Sequence, residues 1–294
     1  MKIIIAGSSG FIGRHLAAFF RQKENELVLL SHQSSEGAHV WNPEKEEIEL
    51  PLLEGADVVI NLAGASIFGR WSRSKKEKIR NSRVVTTRFL CSQLVKLSRL
   101  PSLYIGASAV GYYGDCKAEF VDESSRAGSD FLAKVCQEWE ASANVLTGKA
   151  IRMIFARFGI VLGPDGGILE KVKKPFRAGM GGTIGSGKQI MSWIAIDDLC
   201  KAIEHVMAHA EISGPVNFVA PEPVSNDEFT KTLGKILRRP TKLPLPTPLL
   251  SLILGEGAEP FLASTHAFPK KLLESGYSFQ YSNLDSALKE YLED

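Results

Sequence analysis

The sixteen residues that open the chain, MKIIIAGSSGFIGRHL, restrict its fold more than any later stretch. A short apolar run, Ile3 to Ala6, leads into GSSGFIG, and an apolar-periodic segment follows. That order predicts strand, glycine turn, helix. Gly7, Gly10 and Gly13 are spaced G-x-x-G-x-x-G. Glycine there serves a tight turn, close approach of backbone N–H groups to a pyrophosphate, and close packing of helix on strand. The helix starting at Phe11 and Ile12 would turn its positive end toward the phosphates. A chain with 26 glycines makes such spacings by chance. Set between a buried-type strand and a helix, however, the spacing specifies dinucleotide binding.

The whole chain narrows the choice further. Its 294 residues suffice for a sizeable core, and 44% hydrophobic with 23% charged residues is ordinary globular composition. A net charge of +2 gives no electrostatic case for nucleic acid or a membrane surface as partner. No apolar run reaches the roughly 18–20 residues of a membrane span. The first apolar run is cut short by the glycine turn where a signal peptide would continue. Cys91, Cys116, Cys136 and Cys200 are scattered, with no C-x-x-C pair. They read as reduced thiols of a cytoplasmic protein, with no metal site expected.

Leu27 to Leu30 reads as a second buried strand. An NAD site usually carries an acid about 20 residues past the glycines to hold the ribose 2′-OH. Here the strand runs into Ser31-His32-Gln33. That leaves room for a 2′-phosphate at Ser31, His32 and Arg14, so NADP(H) is favoured over NAD(H). The alternative is that these are plain loop and helix-surface residues. Residues 34–55 read as loop with a weak turn. Asp57 to Asn61 is a strand, and Leu62, Ala63 and Gly64 after it are small enough for a cofactor to pass close to the backbone. A helix is expected from Ser72 or Ser74 to about Leu97, in the most basic part of the chain. Leu103 to Ala107 is the next strand. Ser108 follows it and can bond a substrate hydroxyl or carbonyl, while Tyr112 and Tyr113 can donate a proton or stack on a sugar. A polar loop with two packing aromatics is the other reading. A helix is expected over 128–145, a long strand over 151–161, and a glycine-rich binding loop within 165–192. In that loop Gly182, Lys188 and Gln189 are the substrate candidates. Asp197-Asp198 is expected to cap a helix to about Ala210, and Val216 to Val219 is the last buried strand.

Alternating strands and helices call for an α/β fold, a Rossmann-type doubly wound parallel sheet with helices on both faces. A smaller, mostly helical C-terminal substrate domain completes the expected plan. Residues 1–164 and 194–220 form the NAD(P)-binding part, and 165–193 with 221–294 form the substrate part.

Several strings carry a family resemblance: GSSGFIG, DVVINLAG, GRWSRSKKEKIRNSR, SAVGYYG, DFLAKVCQEWE, RFGIVLGPDGG, PFRAGMGGTIGSGKQIMSWI and GPVNFVAPEPVSNDEF. The chain resembles the extended short-chain dehydrogenase/reductases. More narrowly, it resembles an atypical epimerase-like branch (NAD-dependent epimerase/dehydratase) with an extra C-terminal domain of unknown function. The resemblance implies NADP(H) binding at Ser31, His32, Leu62, Ala63, Lys78 and Arg83, and a nucleotide-sugar-like substrate between the domains. It also makes the long helices near 74–97 and 128–145 the pairing surface of a homodimer. Where the family often carries arginine this chain has His32, a poorer partner for a 2′-phosphate.

The larger departure is catalytic. Ordinary members use a Y-x-x-x-K dyad whose tyrosine exchanges a proton with the substrate and whose lysine lowers the tyrosine pKa. In SDFLAKVCQEWE, aligned through Glu140, Leu132 takes the tyrosine position and Cys136 the lysine position. Two functions therefore stand side by side. One is an epimerase-like oxidoreductase transferring hydride to or from a small alcohol or carbonyl substrate, with Ser108 orienting it and Tyr112 or Tyr113 as acid/base. The other is a catalytically impaired NADP(H)-binding sensor or scaffold.

Overall fold

Seven strands pair in parallel into one sheet: β1 (Lys2–Ala6), β2 (Glu26–Ser31), β3 (Ala38–Val40), β4 (Val58–Asn61), β5 (Leu103–Ala109), β6 (Arg152–Phe158) and β7 (Gly214–Phe218). Their spatial order is β7-β6-β5-β4-β1-β2-β3. The computed structural model from which this is read describes residues 1–34 and 37–293. Strand β4 is buried throughout, as is β1 after Lys2, because helices cover both faces of the sheet. Alternation along β1 sends Ile3 and Ile5 into one core and Ile4 and Ala6 into the other. The Rossmann-type plan expected from the alternating pattern is thus the fold observed.

The helices that bear on the site are α1 (Phe11–Arg21), α2 (Arg73–Leu94), α3 (Phe131–Ala141), α4 (Gly167–Arg177), α5 (Ile196–Ala208) and α6 (Asn226–Ile236). Ser72 caps α2 by accepting the Lys75 N–H, and Asp130 caps α3 by accepting that of Ala133. Helix α3 is shorter than expected and gives way to a 3-10 turn at Asn144–Leu146.

Four local expectations are corrected. The supposed loop 34–55 contains β3, an edge strand whose Val40 lies opposite Ser31, and a 3-10 turn at Leu50–Leu52; Ser35 and Glu36 lie outside the described residues. The long strand 151–161 is two strands. Gly159, whose Cβ would stand 2.7 Å from the Ser192 carbonyl oxygen, turns the chain out of the sheet. Ile160–Leu162 then pairs with Trp193–Ala195. The glycine-rich stretch after Asp165 contains α4, because its glycines cluster before and after an apolar-periodic segment. Asp197 and Asp198 lie in the first turn of α5 and do not cap it.

Those two acids have a different task. The fully buried Asp198 carboxylate accepts the N–H groups of Gln280 and Tyr281, and the Tyr277 hydroxyl donates to the Asp198 carbonyl at 2.8 Å with the carboxylate at 3.2 Å. Asp197 accepts the Tyr291 hydroxyl at 2.6 Å. At the other end of α5, Arg152 donates to the carbonyl oxygens of Val206 and Met207, in the last turn of the helix, and to those of His209 and Ile212 just beyond it. The C-terminal residues Leu272, Tyr277, Leu284 and Leu288 join the same apolar core as Ile3 and Ile196. No helix among the described residues is long and apolar enough to cross a membrane.

Asp198→Ala strips the acceptor from the Gln280 and Tyr281 N–H groups, while the Tyr277 hydroxyl keeps the carbonyl of residue 198, so we expect a loss of about 3 kcal/mol in urea unfolding. A change below about 0.5 kcal/mol would mean that the C-terminal segment is held by apolar packing alone.

Candidate functional site

The strand order reverses between β1 and β4, and in such sheets the crevice at the carboxyl ends is where ligands bind. Gly7 stands there with φ +80°, and a Cβ on it would lie 2.9 Å from the backbone of Leu62 and Ala63. A Cβ on Gly13 would overlap the Gly7 carbonyl oxygen. These two glycines let α1 and β4 close on the turn. Gly10 is the N-cap of α1 and offers no side-chain acceptor, and no acid lies in the first turn. The N–H groups of Phe11, Ile12 and Gly13 thus have no intrahelical acceptor at the crevice, the arrangement that receives phosphate. The Phe11 ring packs under the glycine turn that opens α4, where Cβ atoms on Gly163 and Gly167 would come within 2.7 and 3.3 Å of it. Ile12 packs against the core.

At the end of β2, Ser31 is buried, donates to the Ser9 hydroxyl at 3.0 Å and accepts the Gln33 N–H. His32 is exposed at one face, with its other face over the Trp41 ring at 5.6 Å. Partial burial holds the imidazole below its ordinary pKa, against the pull of Glu44. Arg14 donates to the Ser9 carbonyl and pairs with Asp165, which ties α1 to the turn before α4.

At the end of β4, Leu62 donates its N–H to Ala6 and Ala63 its N–H to the Asn61 side chain. Gly64 is exposed, and a Cβ on it would stand 3.2 Å from the Arg83 guanidinium. Arg83 donates to the carbonyls of Ala65 and Ile79 and lies over the Trp139 ring. Burial lowers its pKa, and no carboxylate pairs with it among the described residues. Lys78 is placed differently. It is exposed, and lies about 100° around α2 from buried Ile79. Lys75, a turn earlier on the crevice side, reaches the Ser66 carbonyl at 2.6 Å.

The end of β5 holds a buried polar network. Ser108 and Arg157 are paired across β5 and β6. Glu140 of α3 accepts the Ser108 hydroxyl at 2.7 Å and takes the Arg157 guanidinium with both oxygens at 2.9 Å. Arg157 also donates to the Tyr113 hydroxyl at 3.0 Å, and that hydroxyl donates to Asn217 at 2.8 Å. Burial pushes the Tyr113 phenol up to about 12 despite the neighbouring Arg157. Tyr112 is half-buried, its ring 3.5 Å from the Arg157 guanidinium. Ser108 and Tyr113 therefore spend their hydroxyls inside the protein, whereas Tyr112 keeps part of its surface open. Strand alternation turns Ala109, the next residue along, to the opposite side from Ser108. Leu132 lies across from Gly111, and Cys136 is buried, with its thiol pushed up to about 12 by burial first and Glu140 second.

The substrate candidates after α4 are spread out. A Cβ on Gly182 would overlap the Leu243 carbonyl, so glycine there permits two backbones to cross. The Gln189 amide, 7% exposed, donates to the carbonyls of Ile184 and Phe261 and staples the loop to the C-terminal segment. Lys188 is exposed. The structure brings other side chains together nearby. Phe68 after β4 meets Phe261 at 5.9 Å, and the Lys171 ammonium of α4 lies 4.7 Å from its ring. No sequence signal marked Phe68, Lys171 or Phe261, which are ordinary residues in loop and helix contexts. Arg157 did carry a signal, since a cation within the apolar run IRMIFARFGIV needs a buried partner.

The profile of the NAD dependent epimerase/dehydratase family matches residues 3–219, which contain every element of the crevice and the β5 network. This chain belongs to that family. A profile described as a domain of unknown function, DUF1731, matches residues 245–291. The chain is 38% identical over 291 residues to the epimerase family protein Mb2239 of Mycobacterium bovis, covering 97% of this chain and 96% of the relative. It is 37% identical to the epimerase family protein YfhF of Bacillus subtilis, covering 100% and 99%. The crystal structure of human epimerase family protein SDR39U1 (isoform 2) with NADPH superposes with a TM-score of 0.93 at 32% identity, covering 100% of both chains. The family resemblance expected from the motifs is thereby established.

Two outcomes follow from the β5 network. Glu140→Ala leaves a buried guanidinium unpaired and is expected to cost about 3–5 kcal/mol in urea unfolding, with Glu140→Leu/Arg157→Met costing less. Iodoacetamide at mildly alkaline pH should leave Cys136 unlabelled in the folded protein, since a thiol raised to about 12 stays protonated there, and label it after unfolding. Rapid labelling of folded Cys136 would show that its thiol is open and ionised.

Proposed function

We infer that the protein is an NADP(H)-binding member of its family that holds the dinucleotide without the usual proton relay, acting as a sensor or scaffold. When bound, the nicotinamide would supply a hydride donor or acceptor. The residues fit the cofactor. The backbone cradle at Gly7 and Gly13 is one that a Cβ would fill, and uncapped N–H groups face it. The absence of an acid after β2, with Ser31 and His32 in its place, supports the phosphorylated form. So does the NADPH in the human relative's structure.

One observation carries the catalytic part of the reading. Leu132 and Cys136 fill the dyad positions, and the nearby hydroxyls of Ser108 and Tyr113 are committed to Glu140 and Asn217. A group that exchanges a proton with substrate must reach it and hold a suitable pKa. Tyr113 meets neither condition, being 4% exposed with a raised pKa.

The second reading is an oxidoreductase acting on a nucleotide-sugar-like or other small alcohol or carbonyl compound. Two features favour it. Tyr112 stays half open beside the end of β5, and Phe68, Lys171 and Phe261 cluster as an aromatic and cationic contact that holding the cofactor does not require.

Titration with NADPH, followed by a panel of nucleotide sugars, aldehydes and ketones read at the nicotinamide absorbance band, separates the two. Saturable binding that Gly13→Ala weakens at least about tenfold, with no turnover across the panel, is the expected result. Turnover that Tyr112→Phe abolishes would replace the holder with the enzyme.

A further inference from the structure

Edge strand β3 delivers a tryptophan to the end of β2. Val40 pairs opposite Ser31, and the Trp41 N–H donates to the Ser31 carbonyl at 3.0 Å. The indole packs against two rings. Phe89 of α2 lies at 6.3 Å and 24° between planes, and His32 at 5.6 Å and 33°. Trp41 is 2% exposed, and its indole N–H has no acceptor among the described residues. Only His32 of the stack reaches solvent, at the mouth of the crevice.

We propose that Trp41 is a positioning residue for cofactor selectivity: its ring fixes the His32 imidazole where the adenosine 2′-phosphate of NADP(H) lies. This rests on the NADP(H) reading above. A short imidazole lacks the reach and the fork of a guanidinium. Its use as a phosphate donor depends on being held in place, since a donor fixed beforehand loses less entropy on binding. The flat face of Trp41 supplies that constraint from a residue that does not touch the ligand.

The test compares dissociation constants for NADPH and NADH in the full-length protein. Trp41→Leu should lower the NADPH preference roughly tenfold, the scale of one charge-assisted hydrogen bond, with NADH affinity little changed. Trp41→Phe, which keeps a flat ring, should hold the preference within about twofold of wild type. His32→Ala should match Trp41→Leu, and the double variant should fall no further than either. Equal weakening of both cofactors by Trp41→Leu, or additive losses in the double variant, overturns the positioning role. A wild-type protein with no NADPH preference overturns the NADP(H) reading as well, so the two failures are distinct. Thermal melting checks that each variant folds, with Trp41→Met as a second non-aromatic choice. In the wild type, the His32 ring protons should move more in NMR spectra with 2′,5′-ADP than with ADP; equal shifts count against the proposal.

Discussion

A carboxylate and a guanidinium buried together at the ends of α3 and β6 shape everything around them. Neither Glu140 nor Arg157 can be left unpaired away from water, so each draws in the polar groups within reach. Glu140 takes the Ser108 hydroxyl and both arms of the guanidinium. The third arm takes the Tyr113 hydroxyl, which in turn fixes Asn217, and Asn217 donates to the Phe268 carbonyl of the C-terminal segment. One ion pair thus joins β5, β6, β7, α3 and the C-terminal segment through a continuous chain of hydrogen bonds. It does so with the hydroxyls that a sequence reader would assign to catalysis.

The sequence made the crevice legible because its requirements are local. A strand, three glycines and a helix within sixteen residues force one geometry, whatever the rest of the chain does. Burial on both faces likewise writes β1 and β4 as continuous apolar runs. The family match confirms the same reading from the other direction.

What stayed hidden depends on pairing across long separations. Strand β3 has only three residues, two of them exposed, so it carries no periodic signal; its existence is decided by the free edge of β2. Ser108 reads as a site residue from its strand-end position, but its hydroxyl direction is set by Glu140, 32 residues on. Asp197 and Asp198 read as caps from spacing, while their partners lie 79 to 94 residues away. Lys78 and Lys75 are nearly equivalent in sequence. Only the rotation of α2 against the sheet turns Lys75 toward the loop after β4.

The contact between Phe11 and the glycine turn at Gly163 to Gly167 has a consequence for how such chains can vary. The Phe11 ring fills space that side chains at 163 and 166 would otherwise occupy. Volume is therefore exchanged between the first residue of α1 and a turn more than 150 positions downstream. A relative that gains a side chain at 166 must shed bulk at 11, or move α4 away from the crevice. Because α1 starts at the phosphate-facing turn, that exchange also couples the mouth of the crevice to α4. Paired substitutions at 11 and 166 should accordingly be tolerated where either alone is not.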